Sequence, residues 1–167
     1  MLTPMPMKDD GDAVCGAAED AARSRAVDWL ALVDDGRYAE SWDMASDVFQ
    51  IITGKTQWQR VLRNARTPLG ELTLRQFRAV QYEPSLLGAP VGEYVAIQYE
   101  TTFGQQPTVR EIVTLTRALG EWKVSGYFIQ LRRRTGGRVD ARRAMTECLS
   151  AVDAREPDFG AAQVRDE

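Results

Sequence analysis

The hydrophobic residues of this chain change their spacing near Gly70. Before that point they recur every three or four residues, as in Trp29, Leu30 and Val33, which is the period of an amphipathic helix. After it they alternate with polar residues, most regularly over 95–103, which is the period of a half-buried strand. Helices first and strands second predict an α+β fold, in which one antiparallel sheet carries the helices on a single face.

The number of elements follows from the same pattern. We predict three helices before the change of period, the second of them continuous over 38–49 because Tyr38, Trp42 and Phe49 fall on one stripe. The strands after it are predicted to form a curved, four-stranded antiparallel sheet that ends in the aromatic-rich strand 122–131.

Composition along the chain predicts five segments. Residues 1–17 are polar with little to bury and are predicted to be a disordered tail, followed by the α+β domain over 18–131. Arginines interrupted by glycines indicate a basic linker over 132–138. A C-terminal amphipathic helix is predicted over 139–153, and a second disordered tail over 154–167.

The chain contains no histidine. This removes the commonest general base and metal ligand, and with it Ser-His-Asp, Cys-His and most zinc chemistry. We therefore predict no bound metal and no cofactor. An enzyme built on this sequence has to work with carboxylates, tyrosine, lysine or arginine.

Charge and hydropathy argue against two classes of partner. With 24 acidic and 21 basic residues the net charge is −3, whereas general nucleic-acid binding needs a broad basic face. No window approaches the about 18 apolar residues that cross a bilayer, and residues 1–12 contain no apolar signal-peptide core. We predict a cytoplasmic protein that binds neither nucleic acid nor membrane.

Four short patterns occur in order along the predicted helices and strands. They are Trp-x-x-x-x-Asp-x-Gly-x-Tyr-x-x-Ser-Trp at 29–42, Arg-x-Pro-Leu-Gly at 66–70, Tyr-x-Thr-x-Phe at 99–103 and Gly-x-Trp-Lys-Val-x-Gly-Tyr at 120–127. Together they resemble a bacterial family of uncharacterised small domains, some of whose members resemble exported proteins. The resemblance covers residues 20–131 and implies a fold without an activity.

At a wider distance, three helices followed by a curved sheet ending in Gly-x-Trp-x-Val are similar to the cone of nuclear-transport-factor-2-like proteins. A layer fold of this kind usually holds a pocket between its sheet and its helices. The superfold includes isomerases, hydrolases and many non-catalytic binding or dimerisation modules, so the similarity implies the cone and leaves the function open.

Glu111 is the acidic residue that the strand pattern singles out, because it lies between Val109 and Val113 on a face that is otherwise apolar. A carboxylate at such a position must be paired, solvated by a cavity or protonated. We favour an ion pair that ties the helices to the sheet, with Arg66 or Arg110 as the partner. The functional interpretation is a cavity-lining acid that binds or deprotonates a ligand.

Most of the aromatic residues are expected in the core, because rings at helical spacing normally fill an interior. Tyr38, Trp42 and Tyr99 can also line a pocket suited to a small apolar ligand with one polar end. The predicted ligand-binding set is therefore Trp42, Tyr99, Glu111 and Arg66.

These observations predict a non-catalytic binding or dimerisation module that holds a small ligand between helices and sheet. The first alternative is a cofactor-free isomerase or hydrolase, in which Glu111 is the base and the phenol of Tyr38 or Tyr127 stabilises an oxyanion. The second is a regulatory domain whose helix 139–153 docks on another protein. For this helix we favour self-association into a homodimer, since its basic start and acidic end permit antiparallel pairing.

Overall fold

The structure, a computed structural model, describes residues 10–85, 90–104 and 108–131. Within them, four α-helices precede four strands, which confirms the predicted order and the α+β class. The helices are α1 Asp10–Asp34, α2 Tyr38–Asp43, α3 Asp47–Ile52 and α4 Lys55–Arg66, and a 3-10 turn, Thr67–Leu69, follows α4. The strands are β1 Leu72–Glu83, β2 Glu93–Phe103, β3 Val109–Ala118 and β4 Glu121–Leu131.

The strands form one open sheet in the order β1-β2-β3-β4, and each neighbouring pair is antiparallel, as predicted. The register is irregular twice in β1, after Leu72 and after Phe77, and once between β3 and β4, after Thr114. Irregularities of this kind bend a strand and increase its local twist.

The core lies between the helices and one face of the sheet, and α1 contacts all four strands. Side chains alternate between the two faces of a strand, so alternate residues of β2 and β3 point towards the helices. The stripe predicted for α1 is buried there, with Trp29, Leu30 and Val33 each 1% exposed. Among their buried neighbours are Phe49, Trp58, Leu62, Val95, Ile97, Val113, Leu115 and Trp122.

The predicted second helix over 38–49 is two helices in the structure, so the described residues contain four α-helices rather than three. The new helix begins after Ser46, whose side chain accepts a hydrogen bond from the backbone N–H of Phe49 (3.2 Å). Just before it, Ala45 forms a parallel bridge with Val124, and the Ser46 N–H donates to the Val124 carbonyl at 2.8 Å. Pairing with the edge of β4 replaces helical hydrogen bonds here, although the apolar stripe continues.

Ser41 joins three helices inside the core. It is fully buried in α2, and its backbone carbonyl accepts a hydrogen bond from the indole Nε1 of Trp29 in α1 (2.7 Å). Its hydroxyl oxygen accepts one from the indole Nε1 of Trp58 in α4 (3.0 Å). Both buried indole N–H groups are therefore satisfied, which allows the two large rings to pack with centroids 6.0 Å apart.

Two glycines fix the points at which α1 and α4 end. Gly36 has a φ of 74°, in the left-handed region that favours glycine, and the following Arg37 N–H donates to the Leu32 carbonyl at 2.8 Å. Gly70 has a φ of 81° and follows the 3-10 turn after α4. As a result, each helix ends on a charged residue close to the sheet.

Residues 1–9 and 132–167, at the two ends of the chain, lie outside the described residues. The structure has residues 10–17 in α1, whereas the sequence predicted a tail up to residue 17; the alanines in this stretch favour helix although none of residues 14–17 is buried. The predicted linker 132–138, helix 139–153 and tail 154–167 lie outside the described residues. No helix in the described part of the chain has the length and apolarity required to cross a membrane.

Candidate functional site

Six polar side chains meet where α1 and α4 end against the sheet. The two helices contribute their last residues, and each of the four strands contributes one residue from its helix-facing side. We call these residues the charge cluster: Asp34, Arg66, Arg75, Thr101, Glu111 and Tyr127.

Glu111 is at the centre of the charge cluster and is fully buried. Its Oε1 accepts from Nη1 of Arg66 at 3.2 Å, and its Oε2 accepts from Nε of Arg75 at 2.7 Å. The hydroxyls of Thr101 and Tyr127 also donate to this carboxylate. Two positive charges and two hydroxyl donors thus compensate for removing the carboxylate from water.

Arg75 joins the two acids of the cluster through one planar guanidinium. Its Nη1 and Nη2 donate to the two oxygens of Asp34, at 2.6 and 3.0 Å. Its Nε and Nη2 donate to the two oxygens of Glu111, at 2.7 and 3.2 Å. Both contacts have the bidentate geometry that makes arginine–carboxylate pairs strong and directional.

Asp34 connects α1 to this arrangement. An acid at the C-terminal end of a helix is unfavourable, because the helix dipole is negative there. Arg66 offsets this by donating from Nη2 to Asp34 at 2.5 Å, while its guanidinium also lies over the Phe103 ring, 4.3 Å from the centroid. Two arginines and two acids leave the charge cluster formally neutral.

The surroundings hold the proton donors of the cluster in their protonated forms. Burial raises the pKa of Tyr127 well above its usual value, and the negative charge of Glu111 raises it further. Burial lowers the pKa of Arg75, but hydrogen bonds and charges from Asp34 and Glu111 outweigh burial, so its pKa is raised. Both groups therefore remain hydrogen-bond donors at neutral pH.

This geometry suits a structural tie and does not suit proton abstraction. A general base needs a lone pair that points at the substrate, whereas both oxygens of Glu111 already accept hydrogen bonds inside a sealed interior. The predicted inward orientation of Glu111 and its pairing with Arg66 are confirmed. Arg110 is not a partner in the described contacts: it lies on the next position of β3, which faces the other side of the sheet.

Asp34, Arg75 and Thr101 were not among the site residues predicted from the sequence. Arg75 pairs with Thr101 in the sheet and is two residues from Phe77, so it shares the helix-facing side of β1. The sequence did contain a signal for Arg75, because a residue two positions before Phe77 lies on the same face of a strand. The register that brings it next to Glu111 depends on pairing across three strands, which spacing along one strand does not reveal.

A cavity of about 590 Å³ adjoins the charge cluster, between α1 and strands β1 and β2. We call it the α1–β1 cavity. Leu30, Phe77 and Tyr99 line its apolar side, and it reaches the Asp34 and Arg75 side chains of the cluster. It opens to solvent beside Phe77, which is 40% exposed. Its volume falls within the range of small-molecule sites, about 300–1,000 Å³.

Tyr99 brings an unused polar group to this cavity. The residue is 6% exposed, yet its hydroxyl forms no hydrogen bond with any residue in the described part of the chain. Every side-chain polar atom there that is sealed from solvent has a partner, so the Tyr99 hydroxyl is reached from the cavity. Burial raises the pKa of Tyr99, against the charges of Arg75 and Arg23, and the group stays a phenol.

Arg23 stands at the rim of the same cavity. Its guanidinium lies over the Phe77 ring, 4.1 Å from the centroid, and so connects α1 to β1 by a cation–π contact. Its nearest acid is Asp20, with 3.8 Å between Nη1 and Oδ1, and that side chain is 81% exposed. Arg23 donates no hydrogen bond to a residue that the structure describes, which leaves its N–H groups available to a ligand.

The structure divides the predicted ligand-binding set. Glu111 and Arg66 lie in the charge cluster, and Tyr99 lines the α1–β1 cavity, but neither Trp42 nor Tyr38 lines that cavity. Trp42 is half-buried, and its Nε1 donates to the Thr53 carbonyl at 2.6 Å. Both of these rings pack against the core.

Comparison with known families gives a match over most of this architecture. Residues 25–127 match the model of a family described as "Protein of unknown function (DUF4019)". The chain belongs to the DUF4019 family. No curated protein matches it. The matched segment contains all six residues of the charge cluster, together with Phe77 and Tyr99 of the cavity.

The charge cluster predicts an uneven response to arginine substitution in α4 of this DUF4019 protein. Arg66→Met leaves Glu111 and Asp34 short of a donor in the interior, and removing one partner of a buried pair costs about 3–5 kcal/mol. Arg63→Met is the matched control, since Arg63 is exposed in the same last turn and should change stability by less than about 0.5 kcal/mol. Urea unfolding followed by tryptophan fluorescence measures both; equal losses would contradict the structural role of Arg66.

The raised pKa of Tyr127 predicts a loss of stability at alkaline pH. A tyrosine whose pKa is raised on folding stabilises the protein fully below its unfolded pKa of about 10, and this contribution is lost as the pH rises through the folded value. The free energy of unfolding should therefore fall above about pH 10, and it should fall less steeply in Tyr127→Phe. Urea unfolding at a series of pH values tests this, and parallel curves for the two proteins would show that Tyr127 does not contribute.

Proposed function

We propose that this DUF4019 protein is a non-catalytic binding module that holds a small ligand in the α1–β1 cavity. One observation carries the proposal. The Tyr99 side chain is largely buried, but its hydroxyl keeps accessible surface at the cavity and makes no hydrogen bond to a described residue. A donor that is accessible in a preformed cavity and unused by the protein is a natural contact for a ligand.

The charge cluster supports a binding role over a catalytic one. Glu111, the acid considered for a base, accepts hydrogen bonds on both oxygens and has no exposed surface. The hydroxyl of Tyr127, considered for oxyanion stabilisation, donates a hydrogen bond to that same carboxylate. The cluster instead gives the cavity a wall that is fixed by hydrogen bonds, and a preorganised wall lowers the entropic cost of binding.

We further propose that the sheet adopts the cone of nuclear-transport-factor-2-like proteins. The register irregularities in β1 and between β3 and β4 support this, because each bends the sheet. Helices and antiparallel strands occur in the order that the cone requires. The α1–β1 cavity then corresponds to an opening between the helical layer and the edge of the curved sheet.

Blocking the cavity tests the binding proposal. Val27 lines the cavity and is 58% exposed, so Val27→Trp fills the opening from the surface of α1 without disturbing the core. Val61→Trp is the matched control, because Val61 is 46% exposed on α4 and does not line the cavity. Both variants should fold with thermal midpoints close to that of the unchanged protein.

The three proteins are then compared in a thermal-shift screen against a metabolite library. A ligand at a hundredfold excess over its Kd stabilises by about 2.7 kcal/mol, which raises the midpoint by several degrees. We expect hits that stabilise the unchanged protein and Val61→Trp but not Val27→Trp. Hits that stabilise all three equally would place binding elsewhere and reject the cavity as the ligand site.

We also propose that helix 139–153 pairs with its copy in a second chain to form a homodimer. The sequence pattern supports this, since Arg142 and Arg143 precede the acidic residues Glu147 and Asp153 and an antiparallel pair aligns opposite charges. The dimer is independent of the cavity, so either proposal can fail alone.

Charge reversal at the start of this helix tests the dimer. Replacing Arg142 and Arg143 together by Glu should lower the mass seen by light scattering to that of a monomer across the concentration range. Acids in a first turn favour the helix dipole, so lost helix would not explain the result. The control replaces Arg132 and Arg133 by Glu and should leave the mass unchanged; the mass of a monomer at every concentration of the unchanged protein contradicts the dimer.

A further inference from the structure

The polar groups of the α1–β1 cavity differ in how deeply they lie, and this bears on the charge of a ligand. Tyr99 is almost enclosed, and Arg75 is 13% exposed at its side chain. The acids Asp20 and Asp28 also line the cavity, but both are exposed at its rim, and the Asp20 side chain is 81% exposed. Hydrated rim carboxylates act through water and are weak partners for a ligand.

Asp34, the one acid at depth, has little capacity left for a ligand. Its two oxygens accept three hydrogen bonds from Arg66 and Arg75, and these two cations neutralise it together with Glu111. A cationic head group would therefore have to compete with two arginines already in place. At Arg23 the described competitor is the exposed Asp20 alone, with 3.8 Å between Nη1 and Oδ1.

Those donors are close enough to act together. The Arg23 guanidinium lies 4.1 Å from the centroid of the Phe77 ring, and the Tyr99 ring packs edge-on against the same phenylalanine with centroids 6.4 Å apart. The Tyr99 O–H can donate, and the Arg23 guanidinium offers N–H groups that make no hydrogen bond within the described chain. The Tyr99 hydroxyl and the Arg23 guanidinium are thus two donors of one cavity that make no hydrogen bond to a described residue.

We propose that the α1–β1 cavity binds the carboxylate of a singly charged, otherwise apolar acid, with the Tyr99 hydroxyl and the Arg23 guanidinium as its donors. This inference rests on the proposed function and adds the ligand class to it. The apolar body of the acid lies along Val27, Leu30 and Phe77, which are apolar side chains that line the cavity. Charge-assisted hydrogen bonds to a carboxylate are about twice as strong as neutral ones, so the head group sets the preference.

Three probes with one ring system and different head groups test the ligand class by isothermal titration calorimetry. They are 2-naphthoate, its neutral amide 2-naphthamide, and the cationic 2-naphthylmethylamine. We expect 2-naphthoate to bind roughly tenfold or more tightly than the amide, because hydrogen bonds to a charged group are stronger, and the amine to bind most weakly. An amide or amine that binds as tightly as the acid, and is lost in Val27→Trp, overturns the ligand class but leaves the cavity as the binding site.

Three variants locate the head group. Tyr99→Phe and Arg23→Met should each weaken 2-naphthoate roughly tenfold while changing amide binding much less. Arg25→Met, an exposed arginine of the same helix that does not line the cavity, should change neither. Because the Tyr99 hydroxyl has no internal partner to lose, Tyr99→Phe should keep the thermal midpoint of the unchanged protein, which separates lost binding from lost folding.

Two further results would contradict the proposed donors or the proposed ligand class. Equal weakening of acid and amide in Tyr99→Phe would show a contact with the ring and not with the carboxylate, and would overturn the assignment of donors. Failure of all three probes to bind the unchanged protein overturns the ligand class. If metabolites found in the thermal-shift screen stabilise the unchanged protein but not Val27→Trp, the proposed binding function stands even though the ligand class is wrong.

Discussion

The buried contact between Arg75 and two carboxylates is the interaction on which the rest of the structure depends. One guanidinium in β1 holds Asp34 at the end of α1 and Glu111 in β3, and Arg66 closes the arrangement from α4. Desolvating four charges is costly, and the cost is offset only when geometry and hydrogen bonding are close to ideal. The cluster therefore tolerates a narrow range of positions for the two helix ends relative to the sheet, and in this way the charges specify the helix–sheet arrangement more than they add to its stability.

How much of this fold is readable from the sequence depends on whether the signal is local. The change of period near Gly70 predicts helices then strands, and the apolar neighbours of Glu111 predict that it faces inward; both are properties of a few adjacent residues. The break at Ala45 and the role of Arg75 were missed because each depends on a contact with a distant strand. Hydrophobic spacing reports which face of an element is buried, and pairing across the sheet decides what that face meets.

The charge cluster and the α1–β1 cavity share two residues, Asp34 and Arg75. α1 contacts all four strands and ends at the cluster, and the cavity lies between its residues 20–34 and strands β1 and β2. Because Asp34 and Arg75 belong to both, the inner wall of the cavity is held by the same hydrogen bonds that fix the helix ends. A ligand there meets a surface that needs no rearrangement, whereas the opening beside Val27 and Phe77 remains accessible.

Tyr99 and Glu111 are register partners on adjacent strands, both buried and both facing the helices, yet their hydrogen bonding is opposite. Glu111 accepts hydrogen bonds from four residues, while the Tyr99 hydroxyl has no partner in the described chain. Phenylalanine would fill the same volume without leaving a polar atom unpaired, so packing alone gives no reason for a tyrosine at this position. The fold thus satisfies the carboxylate completely and leaves the neighbouring phenol accessible from the cavity, where the proposed ligand carboxylate would accept its hydrogen bond.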